Sequence, residues 1–390
     1  RDRANHSESR FPSPESGFVL DKCNVITLPW RAMSPSPNSI GIKSPREHGA
    51  DIVRIMAMLM VCILHVGFLS GMRFLDYDTE YTARVISNAW MALSIIAVNL
   101  YALLSGYLCV NRRWNVPRYV ELWLTVCFYS ITLFIPGILI GEHILGVRSS
   151  LLLINPCTSC YWYFSAYTGL FVIIPFLNRG LNSLSRKDYR SLTILLMLFY
   201  SLLGCWKPEQ MTQNGYNAIW LIILYVTGGY IKLHRPNIPA WLLIGIAISG
   251  ISVNFALNFI NGSIANNLLW NYASIFTSLT SLAVFLLSIR ITIRANWLTS
   301  TLKWAAPSAF GVYLIQCHPF IWQQLANYLK PLARQLEYSW WFIPVTGVLL
   351  YVSCTIIDWI RIQIFLLFKV KKAASSITRL FPRSIRELDS

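Results

Sequence analysis

Arg54 and His65 stand eleven residues apart in the first long apolar segment, DIVRIMAMLMVCILHVGFLS, residues 51–70. An ionisable side chain inside a bilayer span is costly, so each needs a role. Eleven residues make about three turns and roughly 16 Å of helix, with little angular drift. One helix face therefore carries a fixed cation near one end and, further in, an imidazole that takes and returns protons near neutral pH. That combination suits a general base or nucleophile at His65, with Arg54 attracting an anion or stabilising developing negative charge. The plainer alternative is an Arg that snorkels to the headgroups and a His that simply packs.

Other candidates follow along the chain. The run NRRWNVPR holds Arg112, Arg113 and Arg118, and forked guanidinium groups suit phosphate oxygens. Basic residues also belong in any cytoplasmic loop, which accounts for them without a ligand. In NLYALLSGYLCV, Asn99 is a polar group near mid-bilayer, and Ser105-Gly106 allows two helices to approach closely. Tyr161 and Trp162 open the run YWYFSAYTGLFVIIPFLN, either as part of an interfacial aromatic belt or as a wall for a sugar acceptor. In AFGVYLIQCHPFIW, His318 is expected at a depth similar to His65, and Pro319 beside it frees a backbone carbonyl. Cys157 and Cys160 form one C-x-x-C without a second pair, so no metal site is expected there.

These residues need a frame to hold them. The chain has 390 residues, 55% of them hydrophobic and only 13% charged, with mean hydropathy +0.49. Such a composition excludes a disordered chain and argues against a soluble one. The formal charge of +16 lies mostly in short loops, so the membrane surface accounts for it better than nucleic acid does. From Asp51 onward there are ten apolar segments of spanning length, at about 51–70, 88–110, 119–141, 161–178, 191–206, 217–233, 240–260, 268–289, 304–326 and 340–360. With the N-terminus inside, the four internal cytoplasmic loops hold twelve basic residues and the five external loops six. That asymmetry predicts an all-α polytopic helix bundle of about ten spans with both termini cytoplasmic. Residues 1–45 are polar, hold six prolines and read as a disordered tail, with Met33 a candidate start. Residues 46–372 form the membrane domain, and 373–390 a basic cytoplasmic tail.

At these motifs the chain resembles the acyltransferase family 3 membrane proteins, from about Arg46 to Lys372. The first-span Arg and His match Arg54 and His65, and the second-span ending matches Ser105-Gly106-Tyr107, followed by a basic loop. The YWYFSAY and GVYLI…HP runs are similar to those of bacterial polysaccharide-modifying members. Two features depart from the pattern. The basic loop is sparser, and Gln316 stands where a His often follows YLI, with His318 two residues on. The resemblance implies transfer of an acyl group, usually acetyl, from acyl-CoA as co-substrate to a hydroxyl of a surface glycan or lipid-linked saccharide. It implies a bacterial inner-membrane location and no permanently bound cofactor. His65 and Arg54 would be catalytic, Arg112, Arg113 and Arg118 would hold the donor, and Asn99, Tyr161, Trp162 and His318 would approach the acceptor. Two other classes fit the intramembrane Arg and His: a transporter using them as a substrate or proton site, and a non-catalytic scaffold.

Overall fold

A bilayer offers no partner for open backbone groups, so long apolar runs close their hydrogen bonds internally as helices. The computed structural model describes residues 48–75, 80–139, 160–206, 208–259, 268, 271–293 and 295–379, and among them there is no strand. The expected tail at 1–45, Cys157 and residues 380–390 lie outside the described residues. Six helical stretches are long and apolar enough to cross a membrane: His48–Leu69, Tyr81–Cys109, Val116–Gly137, Trp162–Ser183, Arg186–Trp206 and Phe342–Leu367. Three shorter apolar helices are Ala218–His234, Ala240–Ala256 and Ile275–Ser288. The protein is a multi-pass, all-helical membrane protein.

The helices are α1 (His48–Leu69), α2 (Tyr81–Ser94), α3 (Ala97–Cys109), α4 (Val116–Thr132), α5 (Phe134–Leu139), α6 (Trp162–Ser183), α7 (Arg186–Trp206) and α8 (Ala218–His234). They continue as α9 (Ala240–Ala256), α10 (Ile275–Ser288), α11 (Asn296–Ala305), α12 (Ala309–Cys317), α13 (Pro319–Gln335), α14 (Phe342–Leu367) and α15 (Val370–Thr378). The segment expected as one span at 304–326 is instead divided. A 3₁₀ turn at Ala306–Ser308 leads into α12, which stops at Cys317, and α13 restarts at Pro319. Proline lacks the N–H that would continue the ladder, and it drives the preceding residue out of the helical region. His318 accordingly sits at φ −64, ψ 129 and caps the new helix, its Nδ1 accepting from Phe320 N at 3.3 Å. At the other end of the chain, α14 runs on to Leu367, past the expected limit of 360. The start of the basic tail is helix α15, which packs on α4.

Helix α1 lies at the centre, packed against α2, α3, α12, α13 and α14. The tightest approach is between α3 and α8. A Cβ on Gly106 would run into the carbonyl of Tyr225, and one on Gly228 into the carbonyl of Leu103. Small residues let the two backbones touch, as the Ser105-Gly106 step suggested. Asn99 stitches the same region. Its Nδ2 donates to Tyr272 O at 2.8 Å, and its Oδ1 accepts from Trp220 Nε1 at 2.9 Å. On the outside, Leu195, Phe199 and Leu202 of α7 are exposed, as side chains facing lipid tails should be.

Candidate active site

The break at His318 shapes the main cavity. It ends α12 one turn beyond Tyr313 and redirects α13, so that Gln316 and Trp322 come to flank His65 from two sides. His65 Nδ1 lies 3.1 Å from Gln316 Oε1. The Gln316 amide is fully buried, and its Nε2 donates to Met58 Sδ at 3.6 Å, which orients the oxygen toward the imidazole. An amide oxygen only accepts, so His65 carries its proton on Nδ1 and keeps the Nε2 lone pair free. Trp322 meets the imidazole edge-on, with ring centroids 4.9 Å apart.

His65 lines a cavity of about 440 Å³. Its walls are mostly aromatic: Tyr101 of α3, Trp162 and Tyr163 of α6, Tyr313 of α12 and Trp322 of α13, with Tyr216 and Tyr272 from the intervening turns. Trp162 and Tyr272 are stacked with centroids 6.1 Å apart and an interplanar angle of 16°, and Tyr216 packs against both. Stiff rings with polar tips make a wall that resists collapse and offers both flat apolar faces and hydroxyl groups. Pockets of this size and character hold small organic substrates.

Of the residues singled out from the sequence, His65, Cys160 and Trp162 line this cavity, and the other candidate site residues do not. Arg54 is ion-paired with Asp51 at 3.0 Å, and its side chain is 30% exposed. Its backbone carbonyl accepts from the cavity residue Tyr101 at 2.9 Å, so it borders the site through its main chain. Asn99 is spent on the stitch described above. Tyr161 is buried behind the wall, its hydroxyl donating to Leu314 O at 3.3 Å. His318 is fully buried as the helix cap. Arg112 and Arg113 are exposed in the loop before α4. Arg118 lies in the first turn of α4, whose N-cap is Asn115, and pairs with Glu121 at 2.8 Å.

Sequence reasoning passed over Gln316, reading it only as a missing His, and the ring of tyrosines. A lone amide inside the apolar run GVYLIQC was the available signal, because a buried amide requires a partner. It also passed over Asp358 and Arg361, an acid and a base three residues apart near the end of an apolar run. They form a buried ion pair, with Arg361 Nη2 to Asp358 Oδ2 at 2.8 Å.

No curated protein and no solved structure matches the chain significantly. A family model described as an acyltransferase domain covers residues 47–359, which takes in α1 with His65, the α6 aromatics, and Gln316 at the end of α12. With four-fifths of its length inside that match, and the cavity built from the matched helices, the chain belongs to the acyltransferase family 3.

Proposed function

We propose that the protein moves an acyl group, acetyl first among candidates, from acyl-CoA to a hydroxyl of a cell-surface polysaccharide or lipid-linked sugar. The bacterial inner membrane is its site of action. The observation that carries this reading is the His65 imidazole on the wall of an aromatic cavity, with the Gln316 amide oxygen 3.1 Å from its Nδ1. Family membership supports acyl transfer and does not favour the transporter alternative. Sugar rings present apolar C–H faces and polar edges, and the Trp162, Tyr216 and Tyr272 rings complement both.

The reaction then runs as follows. His65 Nε2 takes the proton of the acceptor hydroxyl as its oxygen attacks the thioester carbonyl. The C–O bond forms, the C–S bond breaks, and the imidazolium returns its proton to the departing thiolate. In the two-step variant, Nε2 attacks the thioester first, the C–S bond breaks and the thiolate leaves; the acceptor oxygen then takes the acyl group as the C–N bond breaks, and its proton ends on the thiolate. Arg54 draws the anionic donor toward this end of α1 or stabilises developing charge, and Arg112 and Arg113 add to the same field.

Gln316 serves as the positioning residue. Gln316→Leu removes the acceptor that fixes the imidazole tautomer and ring angle. It should lower kcat by about 10- to 100-fold with KM little changed, since the buried amide does not line the cavity. Steady-state assays with acetyl-labelled acetyl-CoA in membranes check this. An unchanged kcat would leave the Gln316 contact as packing alone. Transfer of that label to a glycan or lipid-linked fraction tests the function itself, and thioester hydrolysis without acceptor labelling would contradict it.

The topology follows the loop charges, with about ten crossings and both termini cytoplasmic. Cysteines introduced at 183–187 should be protected from impermeant thiol reagents in intact cells. A reporter fused after Lys372 should signal from the cytoplasm, and an external signal there would overturn the arrangement.

A further inference from the structure

Phe310 belongs to two walls. On one side it lines the His65 cavity, and on the other a second pocket of about 180 Å³. That pocket lies among α4, α14 and α15, at the end of the bundle that carries the basic loop. Its lining includes three cations, Arg118, Arg361 and Lys371, and one carboxylate, Glu121.

The cations are built in rather than scattered. Arg361 has a side chain only 10% exposed, and Asp358 holds it by Nε at 3.0 Å and by Nη2 at 2.8 Å. Tyr129 OH donates to the same carboxylate at 2.8 Å, and the guanidinium lies over the Phe365 ring, 4.9 Å from its centroid. These contacts lock the fork at the pocket wall. Arg118 spends Nη1 on Glu121 and keeps Nη2. Lys371 makes no ion pair among the described residues. Three cations therefore face two carboxylates, Glu121 and Asp358, and the excess is positive. Like charges gathered in a partly closed pocket repel unless an anion joins them. Two forks and an ammonium present donors to tetrahedral oxygens, which is how phosphate is held.

We infer that this pocket binds a phosphate group and, resting on the acyl-CoA reading above, that it is the phosphate of the acyl donor, whose thioester arm reaches His65 past Phe310. From Phe310 to Gln316, the partner of His65, is six residues of α12, or about 9 Å of helix. The division of chemistry matches such a donor. The charged pocket takes the anionic end, and the aromatic cavity takes the uncharged acyl end. Arg112 and Arg113 do not line the pocket, so the phosphate contact passes to Arg361 and Lys371 with Arg118.

Binding is measured on the full-length protein purified in detergent, by titration with coenzyme A and separately with vesicles of phosphatidylcholine, with or without phosphatidic acid. Lys371→Gln and Arg118→Gln remove charges from exposed side chains and should leave folding intact by size-exclusion chromatography. Each should weaken coenzyme A binding by about tenfold, the loss of one charge-assisted contact. His65→Ala should bind coenzyme A as the wild type does, so this readout is independent of turnover. If coenzyme A does not bind, yet phosphatidic acid binds and Lys371→Gln abolishes that binding, the phosphate pocket stands. The source is then a lipid headgroup, and the donor reading falls. If coenzyme A binds wild type and both variants equally, the pocket is overturned while the acyl-CoA reading survives. If neither probe responds to either substitution, the pocket is overturned outright.

Discussion

Acyl transfer should disappear in His65→Ala while expression and membrane insertion stay normal. The substitution removes the one imidazole among the described residues that line the cavity, where no carboxylate or amine stands in for it. A positioned general base contributes about 10²- to 10⁴-fold, and loss of a covalent carrier would cost at least as much. Structurally the change is mild. It leaves Gln316 Oε1 without a donor and Trp322 without an edge-on partner, a cost of about 1–3 kcal/mol by the usual penalty for an unsatisfied buried acceptor. His65→Gln separates the two effects. It can still donate to Gln316, yet its amide is neither base nor nucleophile, so it should be stable and equally inactive. His318→Ala makes the contrast. His318 caps α13 and does not line the cavity, so its loss should lower stability by about 1 kcal/mol and spare the chemistry. The assay is label transfer from acetyl-CoA to glycan in membranes carrying equal amounts of each variant. Substantial activity in His65→Ala would remove the catalytic role.

The helical membrane character and the importance of α1 were legible because they rest on local signals. Hydropathy marks spans, and an ionisable residue inside one is conspicuous in any single segment. What joins His65 was not legible, because it depends on a break rather than on a run. Matching depths along straight helices set His318 level with His65, as a residue that would approach the acceptor. Pro319 turned the chain at that residue, so His318 became a cap and Gln316, two residues earlier, met the imidazole. The aromatic walls stayed hidden for a similar reason. Tyr101, Tyr216, Tyr272 and Tyr313 come from four separate stretches, and in each one a tyrosine is unremarkable. Arg361 was hidden by its own neutralisation. It lay just past the expected end of a span, where a basic residue reads as a topology signal, while Asp358 three residues earlier turned it into a buried pair.

That pair governs the second large effect. Asp358 is fully buried and accepts from Arg361 twice and from Tyr129 once. Asp358→Ala would leave a guanidinium with a side chain 10% exposed and no counter-ion, and a phenol without an acceptor. Breaking one partner of a buried pair costs about 3–5 kcal/mol, because the remaining charge stays desolvated. Asp358→Ala should therefore unfold at a markedly lower temperature in detergent. Asp358→Asn, which still offers one carbonyl oxygen, should lie between it and the wild type.

A double substitution shows whether the carboxylate itself is responsible. Gly311 of α12 faces Asp358 so closely that an added Cβ would collide with Oδ1. In the wild type, Gly311→Ala must push the carboxylate off Arg361 and Tyr129 and should cost about 1–3 kcal/mol through overpacking and bent hydrogen bonds. In the Asp358→Ala background Oδ1 and Cγ are gone, and only the Cβ of residue 358, 2.9 Å from the new methyl, still has to give way. The second substitution should then cost clearly less than it does in the wild type, a coupling of about 0.5–3 kcal/mol, as expected for residues in contact. Thermal unfolding of the four proteins measures it. Simple additivity would mean that the α12–α14 approach tolerates a methyl by backbone shift, and that Asp358 stabilises the bundle without depending on the missing side chain at 311.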